Sequence, residues 1–347
     1  MIKILIVDDS AFMRKLLSDL FSAEADFTVI GTARNGKEAL EKVKQLKPDV
    51  VTMDVEMPIM NGIQALEIIM RDMPTPVVML SSLTSSGATA TLTALELGAV
   101  DFVAKTSGVV SSITGIGNEI LAKSRTASRV NVSQLSKIKV TLPSMTNLFS
   151  QASMTSNEER ILAIGTSTGG PRALQEIITR LPGNLPCGVV IVQHMPPGFT
   201  RSLAERLNSL SALMVKEAEH NEVIRPGLVF IAPGDYHMTI EREGNKKVVK
   251  LNQNPPIGGH RPAVDPMMES VAKAYGERAV GVILTGMGHD GAKGIQAIKQ
   301  QRGYTIAEDQ STAVVFGMPK SAIELGVVDK IAPISAIAAE IVKAIVK

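Results

Sequence analysis

The sequence contains no tryptophan, three tyrosines and eight phenylalanines. Because proteins bind unpaired bases by stacking them on aromatic side chains, this scarcity argues against a single-stranded nucleic-acid ligand. An excess of one charge is also missing: 36 lysines and arginines nearly balance 34 aspartates and glutamates, for a net charge of +2. Without a basic surface to neutralise phosphates, we expect no nucleic-acid partner.

Cysteine and long apolar runs are scarce as well. The single cysteine, Cys187, cannot form an internal disulfide, and it opens the apolar segment Cys-Gly-Val-Val-Ile-Val, which is typical of a buried strand. No apolar run reaches the roughly 18 residues that suggest a membrane span. The chain opens with the strand pattern Ile2–Val7, without the charged start and apolar run of a signal peptide. These features predict a cytoplasmic protein that does not insert into membranes.

The length of 347 residues exceeds what one hydrophobic core usually organises, which predicts two domains. Over residues 1–125, short apolar strands alternate with helix-period segments, a pattern that predicts a flavodoxin-like parallel sheet of five strands. Residues 126–157 are rich in Ser, Thr, Asn and Gln, which indicates an interdomain linker. Over residues 158–347 the alternation returns and predicts a second doubly wound, mostly parallel α/β domain.

Individual strands and helices can be placed within both domains. The second domain carries a β-hairpin pattern around Gly244, and we therefore expect its sheet to be mixed. Its longest helix predictions are Val264–Tyr275 and an apolar helix from Ile334 to Ile345. The five strands predicted for the first domain are Ile2–Asp8, Thr28–Ala33, Asp49–Asp54, Pro76–Ser81 and Val100–Ala104.

Acidic side chains follow two strands of the first domain. Asp8 and Asp9 end the first predicted strand and Asp54 ends the third, so a parallel sheet would bring three carboxylates to one edge. Such crowded anions need compensation, which Mg²⁺ would supply. Lys105 adds a fixed positive charge at the end of the fifth strand, and Ser81 adds a hydroxyl at the end of the fourth.

These residues carry a resemblance. The segments Val-Asp-Asp-Ser from Val7, Met-Asp-Val-Glu-Met-Pro from Met53, Ser81-Ser82 and Ala104-Lys105 strongly resemble receiver domains of bacterial response regulators. The resemblance implies that Asp54 accepts a phosphoryl group from a chemotaxis histidine kinase. It also implies that Asp9, Asp54 and the Glu56 carbonyl hold Mg²⁺, with Asp8 contributing through water, and that Phe102 is the aromatic switch residue beside Ser81.

A glycine-rich turn opens the second domain. The segment Gly-Thr-Ser-Thr-Gly-Gly-Pro, from Gly165 to Pro171, follows a strand and precedes a helix, the context in which a G-x-S-x-G turn exposes a nucleophilic serine, here Ser167. The free amides and positive dipole end of the helix favour developing negative charge. A turn of this kind can equally cradle a phosphate or nucleotide, and the turn by itself leaves both interpretations open.

A base and an acid follow at later strand ends. His194 ends the next strand and is the candidate base for Ser167. The other four histidines, His220, His237, His260 and His289, lie in loops and are interpreted as ordinary surface or core residues. Asp290 lies in the glycine-dense turn Leu284–Gly291 and can orient the imidazole. The alternative is that Asp290 only caps the helix that begins at Ala292.

The order Ser, His, Asp differs from the Ser, acid, His order of α/β-hydrolases. Instead, the second domain resembles the catalytic domain of chemotaxis protein-glutamate methylesterases. The segments that carry the resemblance are Gly165–Pro171, Gln-His-Met-Pro from Gln193, Ile-Ala-Pro-Gly from Ile231, Arg-Pro-Ala-Val-Asp from Arg261 and Val-Phe-Gly-Met-Pro from Val315. The resemblance makes Ser167 the nucleophile, His194 the base and Asp290 its orienter, with the Met287 amide in the oxyanion hole.

The same resemblance implies the substrate: γ-methyl esters on methylated cytoplasmic helices of chemoreceptors, with receptor glutamine deamidation as a further activity. No cofactor is expected for ester hydrolysis, whereas the receiver needs Mg²⁺. Two positions depart from the family pattern. Ala263 stands where serine is common, and His289 places a second imidazole beside Asp290, although a direct sequence neighbour should point elsewhere.

Two other functions are open to a receiver-containing chain. A DNA-binding output domain is one, since receivers are modular, but the second half has no helix-turn-helix pattern or basic recognition helix. A nucleotide-binding switch at Gly165–Gly170 is the other, but no lysine follows the turn at P-loop spacing.

Overall fold

The structure is a computed structural model that describes residues 1–105, 113–132 and 159–346. Contacts between Cα atoms divide the chain into two compact units, Met1–Lys139 and Val140–Lys347. Helix α5 of the first unit continues to Ala127, two residues into the predicted linker. Residues 133–157 of that linker lie outside the described residues, so its extent stays a prediction.

The first unit is a five-stranded parallel sheet in the order β2-β1-β3-β4-β5, with a helix after each strand. This confirms the flavodoxin-like fold, and all five strands lie within one residue of the predicted limits at each end. The strands are β1 (Ile2–Val7), β2 (Phe27–Ala33), β3 (Val50–Asp54), β4 (Val77–Ser82) and β5 (Asp101–Lys105). The helices are α1 (Ala11–Ser22), α2 (Gly36–Leu46), α3 (Gly62–Asp72), α4 (Ser85–Leu97) and α5 (Ile113–Ala127).

The central strands of this sheet are buried along their whole length. All five residues of β3 are buried, as are Ile4 to Val7 of β1. Helices cover both faces of such a sheet, which is why these strands are nearly continuous apolar runs and do not alternate. Because all five strands run in one direction, the residues after β1, β3, β4 and β5 collect at a single edge.

The second unit contains a seven-stranded sheet in the order β14-β13-β12-β6-β7-β9-β8. Its strands are β6 (Arg160–Thr166), β7 (Cys187–Gln193), β8 (Met214–Glu217), β9 (Leu228–Ile231), β12 (Ala279–Ile283), β13 (Tyr304–Glu308) and β14 (Lys330–Ala332). The helices are α6 (Gly170–Ile178), α7 (Phe199–Leu210), α8 (Val264–Tyr275), α9 (Ala292–Gln300), α10 (Met318–Glu324) and α11 (Ile334–Val346). Helix α8 has the predicted limits, and α11 buries the predicted apolar face.

The expectation of a mixed sheet is wrong. Every pairing within the seven-stranded sheet is parallel. The predicted hairpin exists, as β10 (His237–Glu243) and β11 (Lys246–Asn252), but it forms a separate two-stranded sheet. The hairpin instead packs on α8: Met238 and Ile240 share a core cluster with Met267, and the Ile240 amide donates to Ser270 Oγ at 2.8 Å. An antiparallel pair needs only one buried face, and α8 provides it.

Among the described residues, none of the helices combines the length and apolar character that crossing a bilayer requires.

Candidate active site and phosphorylation site

Ser167 is the first residue after β6, in the turn that leads into α6. It is half-buried, and its amide donates to the carbonyl oxygen of Thr285 at 3.0 Å. The turn has no room for a side chain at Gly170, where a Cβ atom would lie 1.9 Å from Gln193 Oε1. The glycines predicted to shape this turn therefore let it approach β7 closely.

Thr285, in the turn after β12, fixes the serine turn from the other side. Its carbonyl oxygen accepts from Ser167 N and, at 2.9 Å, from Thr166 Oγ1. Its hydroxyl donates to the Thr168 carbonyl at 2.9 Å. Thr285 joins the two turns through its carbonyl oxygen and its hydroxyl, and the sequence does not reveal it because a buried threonine has no motif of its own.

The Leu284–Gly291 turn also passes directly beside the nucleophile. A Cβ atom built on Gly286 would lie 2.9 Å from Ser167 Cβ, so only glycine permits this approach. Met287 follows Gly286 and is half-buried. The turn predicted to supply the oxyanion hole is thus next to Ser167, while the role of the Met287 amide stays a prediction.

Gln193 connects the serine to the histidine. Its side-chain nitrogen donates to the Ser167 carbonyl at 3.0 Å and to the His194 carbonyl at 3.2 Å. The side chain is buried, so these bonds are shielded from competing water. In the sequence, Gln193 stands out only as part of the Gln-His-Met-Pro segment. In the structure, its side-chain amide joins the turn that carries Ser167 to the residue His194.

His194 and Asp290 form a close pair. Nε2 of His194 lies 2.7 Å from Oδ2 of Asp290, and the His194 side chain is 4% exposed. A proton on Nε2 donated to the carboxylate leaves Nδ1 as the basic nitrogen. Nδ1 is buried and has no hydrogen-bond partner among the described residues. The serine-to-imidazole hydrogen bond is therefore not formed here, in line with catalytic bonds that tighten only when substrate binds.

Asp290 does not cap the helix that follows it, so the alternative interpretation of this residue is wrong. It accepts the Val264 amide at 2.6 Å and the Asp265 amide at 2.9 Å, which are the first two amides of α8. Pro266 follows without an N–H group, so Asp290 satisfies this helix end even though Ala263, at the cap position, makes no side-chain bond. The Asp290 carboxylate therefore replaces the side-chain cap that is lost because alanine, and not serine, stands at position 263.

The charge state of Asp290 follows from these contacts. Burial alone would raise the pKa of the Asp290 carboxyl, but the hydrogen bond and charge of His194, together with the Val264 and Asp265 amides, lower it below its usual value. Asp290 is therefore an anion at neutral pH and can hold one imidazole tautomer.

The remaining histidines divide into three kinds. His260, set aside in sequence as an ordinary residue, stacks on His194 with ring centroids 4.0 Å apart and planes 10° apart. His220 and His237 accept backbone amides, from Leu251 at 3.0 Å and from Ala263 at 3.3 Å, and serve the fold. His289 is exposed.

The second candidate site is the acidic edge of the first unit. One carboxylate oxygen each from Asp8, Asp9 and Asp54 lie within 4.8 Å of one another. Lys105 Nζ lies 2.9 Å from Asp8 Oδ2 and 2.9 Å from Asp54 Oδ2. A group of hard oxygen donors with excess negative charge fits Mg²⁺. Glu56 lies two residues after Asp54 and is exposed, and the role of its carbonyl stays a prediction.

Burial dominates the titration of Asp54. Burial raises the pKa of the carboxyl, the nearby Lys105 ammonium lowers it, and the charges of Asp8 and Asp9 raise it. The net result is a pKa of about 6. A pKa raised in this way marks a carboxylate that a further cation would stabilise, which is a second reason to place a metal here.

Ser81 and Phe102 lie on adjacent strands behind Asp54. The Ser81 hydroxyl is buried and donates to the Gly87 carbonyl in α4 at 3.1 Å. The Phe102 ring is 3% exposed, and Lys123 of α5 donates to the Phe102 carbonyl at 2.6 Å. Ser81 therefore contacts helix α4 and Phe102 contacts helix α5, and their part in signalling stays a prediction.

The comparisons with known proteins match both units of the chain. Residues 162–341 match the family model for CheB methylesterase, and residues 4–111 match that for the response regulator receiver domain. The protein-glutamate methylesterase/protein-glutamine glutaminase of Geobacillus kaustophilus is 52% identical over 99% of each chain. The protein of the same description from Pyrococcus abyssi is 48% identical over 99% of this chain and 94% of its own.

A solved structure gives the same result for the second unit. The catalytic domain of Thermotoga maritima CheB methylesterase is 49% identical, covers 54% of this chain and 98% of its own, and has a TM-score of 0.53. The chain belongs to the CheB methylesterase family of hydrolases and carries a response regulator receiver domain ahead of its methylesterase domain.

Proposed function

We propose that this protein hydrolyses γ-methyl esters of glutamate side chains on the cytoplasmic helices of chemoreceptors, and that phosphorylation of Asp54 activates it. The contact that carries the proposal is the 2.7 Å bond between His194 Nε2 and Asp290 Oδ2, which leaves Nδ1 buried and without a hydrogen-bond partner among the described residues. Relatives at 52% and 48% identity are described as protein-glutamate methylesterases, which supports the ester as substrate.

The chemistry proceeds through an acyl-enzyme. The Ser167 hydroxyl attacks the ester carbonyl while His194 Nδ1 takes its proton, and Asp290 stabilises the imidazolium that forms. Backbone amides of the Leu284–Gly291 turn, with that of Met287 as the candidate, stabilise the oxyanion. Collapse of the intermediate expels methanol, which receives the proton from His194. Water, activated by the same Nδ1, then releases glutamate.

Deamidation of receptor glutamines follows from the same sequence of steps. The amide carbonyl replaces the ester carbonyl, His194 protonates the leaving nitrogen, and ammonia departs in place of methanol. The shared description of the relatives as protein-glutamine glutaminases supports this second reaction.

The receiver controls the reaction through Asp54. A chemotaxis histidine kinase is the proposed phosphodonor, and the protein acts in the cytoplasm, where its receptors' helices lie. Bound Mg²⁺ would offset the charge of the carboxylates and of the incoming phosphoryl group. Asp8, Asp9 and Asp54 would hold the metal, and Lys105, whose Nζ lies 2.9 Å from Asp54 Oδ2, would contact a phosphoryl oxygen.

Methanol release from methylated receptor membranes tests the proposal. We expect release from the full chain to rise when acetyl phosphate and Mg²⁺ are added, and we expect none from Ser167→Ala under either condition. Ser202→Ala is a matched control, because Ser202 is a helix serine whose hydroxyl bonds the Gly198 carbonyl within α7. Methanol release by Ser167→Ala at the rate of the control would refute the nucleophile assignment.

A further inference from the structure

The turns that begin α8 and α9 are joined by reciprocal hydrogen bonds. Asp290, just before α9, accepts the Val264 and Asp265 amides of α8. In return, Oδ1 of Asp265 accepts the Gly291 amide at 2.9 Å and the Gly294 amide at 2.8 Å, at the start of α9. Each carboxylate therefore satisfies the free amides of the other helix.

Asp265 is a buried carboxylate that lies near a second carboxylate, Asp290. It is 9% exposed and close enough to Asp290 for the two charges to act on each other. Burial raises the pKa of the Asp265 carboxyl, the Gly294 amide lowers it, and the charge of Asp290 raises it. A buried carboxylate beside a second one is costly, and here two helix N-termini offset the cost.

We propose that Asp265 is a positioning residue for hydrolysis: by binding the Gly291 amide it fixes the adjacent Asp290 against His194. The proposal rests on the triad assignment made above. Gly291 directly follows Asp290, so a shift of its amide moves the carboxylate that orients the imidazole. Misplacement of a catalytic group by about 1 Å is enough to cost about 100-fold in rate.

An ordinary helix cap would affect stability alone, and the geometry offers a way to separate the two roles. One oxygen atom, Oδ1, accepts both α9 amides. Asparagine retains that oxygen, so Asp265→Asn should keep the turn in place, whereas Asp265→Ala removes the acceptor. A matched control is Asp329→Asn, because Asp329 accepts the Thr305 amide at 3.0 Å in the same unit but away from the triad.

The kinetic experiment measures kcat and KM for methanol release by the full chain with acetyl phosphate and Mg²⁺. We expect Asp265→Ala to lower kcat by at least about tenfold with KM within about twofold, while Asp265→Asn stays within about threefold of the parent. In an Asp290→Asn background, Asp265→Ala should change kcat by less than about twofold, because the residue it positions is already disabled. Equal losses in both backgrounds, or losses matched by Asp329→Asn, would overturn the proposal.

A second readout does not depend on activity. Amide hydrogen exchange of peptides covering residues 284–294 should accelerate at Gly291 and Gly294 in Asp265→Ala and not in Asp265→Asn. Unchanged exchange in Asp265→Ala would overturn the positioning role even if methanol release fell as expected. Absence of methanol release by the parent chain would refute the proposed function instead, and exchange would still decide whether Asp265 holds the turn.

Discussion

The imidazole of His260 lies parallel to that of His194, with the ring centroids 4.0 Å apart. The loop that carries His260 is fixed at its next residue, where Arg261 Nε donates to Asp235 Oδ1 at 3.0 Å. The stack restricts rotation of the His194 ring about its side-chain bonds, as does the contact with Asp290.

This arrangement predicts that His260→Ala lowers kcat by about two- to tenfold, because a stacked ring pair contributes about 0.5–1.5 kcal/mol to orientation. His260→Phe keeps a planar ring and should lose less activity. His289→Ala is the control, since that side chain is exposed. A loss of activity in His289→Ala with none in His260→Ala would show that the stack does not contribute to hydrolysis and that His289 does.

The hydrogen bond between His194 and Asp290 predicts a larger effect. Asp290→Asn removes the anion that holds the imidazole tautomer, and we expect kcat to fall by at least about 100-fold, with His194→Ala at least as severe. The double variant should lose little beyond the more severe single variant, because the groups act as a unit. Full additivity of the two losses in kcat measurements would contradict the triad.

The acidic edge predicts that Asp54→Asn cannot be stably phosphorylated by acetyl phosphate yet keeps basal methanol release. Excess chelator should likewise prevent phosphorylation of the parent chain, since the carboxylates then repel the phosphodonor. Asp49→Asn is the matched control, because Asp49 lies at the other end of β3 and accepts the Lys3 amide. Incorporation of label into Asp54→Asn equal to that of the control would rule out Asp54 as the acceptor.

A buried acid predicts a pH effect on stability. Burial raises the pKa of Glu308 from 4.5 to about 7, partly opposed by the Thr285 amide and the Thr312 hydroxyl. The folded state therefore binds this proton more tightly than the unfolded state, so the Glu308 contribution to the free energy of unfolding falls as the pH rises from 4.5 to about 7.

Glu308→Gln removes that dependence. As the pH rises across this window, the free energy of unfolding of Glu308→Gln minus that of the parent should increase by up to about 3 kcal/mol, at about 1.4 kcal/mol per unit of pKa. Denaturant unfolding at several pH values measures the difference, and Glu241→Gln, at an exposed hairpin position, serves as the control. A difference between variant and parent that stays constant with pH would contradict the burial argument.

The family resemblance predicts that the unphosphorylated receiver inhibits the catalytic domain. A fragment from about Asn157 to Lys347 should then release methanol faster than the unphosphorylated full chain and should not respond to acetyl phosphate. Phosphorylation of Asp54 would then relieve the inhibition, with Ser81 and Phe102 as the proposed transmitting residues. Equal rates for the fragment and the unphosphorylated chain would exclude inhibition by the receiver.

The sequence predicted the features that depend on local pattern. Periodicity located the receiver strands and the limits of α8, and the strand-to-turn context located Ser167, His194 and Asp290 at one edge of a parallel sheet. Short strands of the second sheet were missed, among them β8 with its exposed Met214, because a half-exposed segment of four residues has little periodicity.

The parts of the site that the sequence did not predict depend on contacts between segments far apart in the chain. Thr285 and Ser167 meet through backbone atoms across 118 positions of chain, and no side-chain pattern encodes such a bond. The reciprocal bonds of Asp265 and Asp290 likewise appear only when α8 and α9 are side by side. The stack of His260 on His194 appears only when the loop before α8 meets the end of β7. The prediction of a mixed sheet failed for a related reason. The pattern of the hairpin strands does not indicate whether they pack on α8 or pair with the main sheet.

The uniform direction of the seven strands separates the second unit into a chemical edge and a purely connecting edge. Ser167, His194 and Asp290 follow the carboxyl ends of β6, β7 and β12, so the loops that enter the strands, such as 182–186 before β7, lie at the opposite edge. New chain ends, a fluorophore or an inserted reporter domain can therefore be placed in an entering loop, away from the edge that carries Ser167.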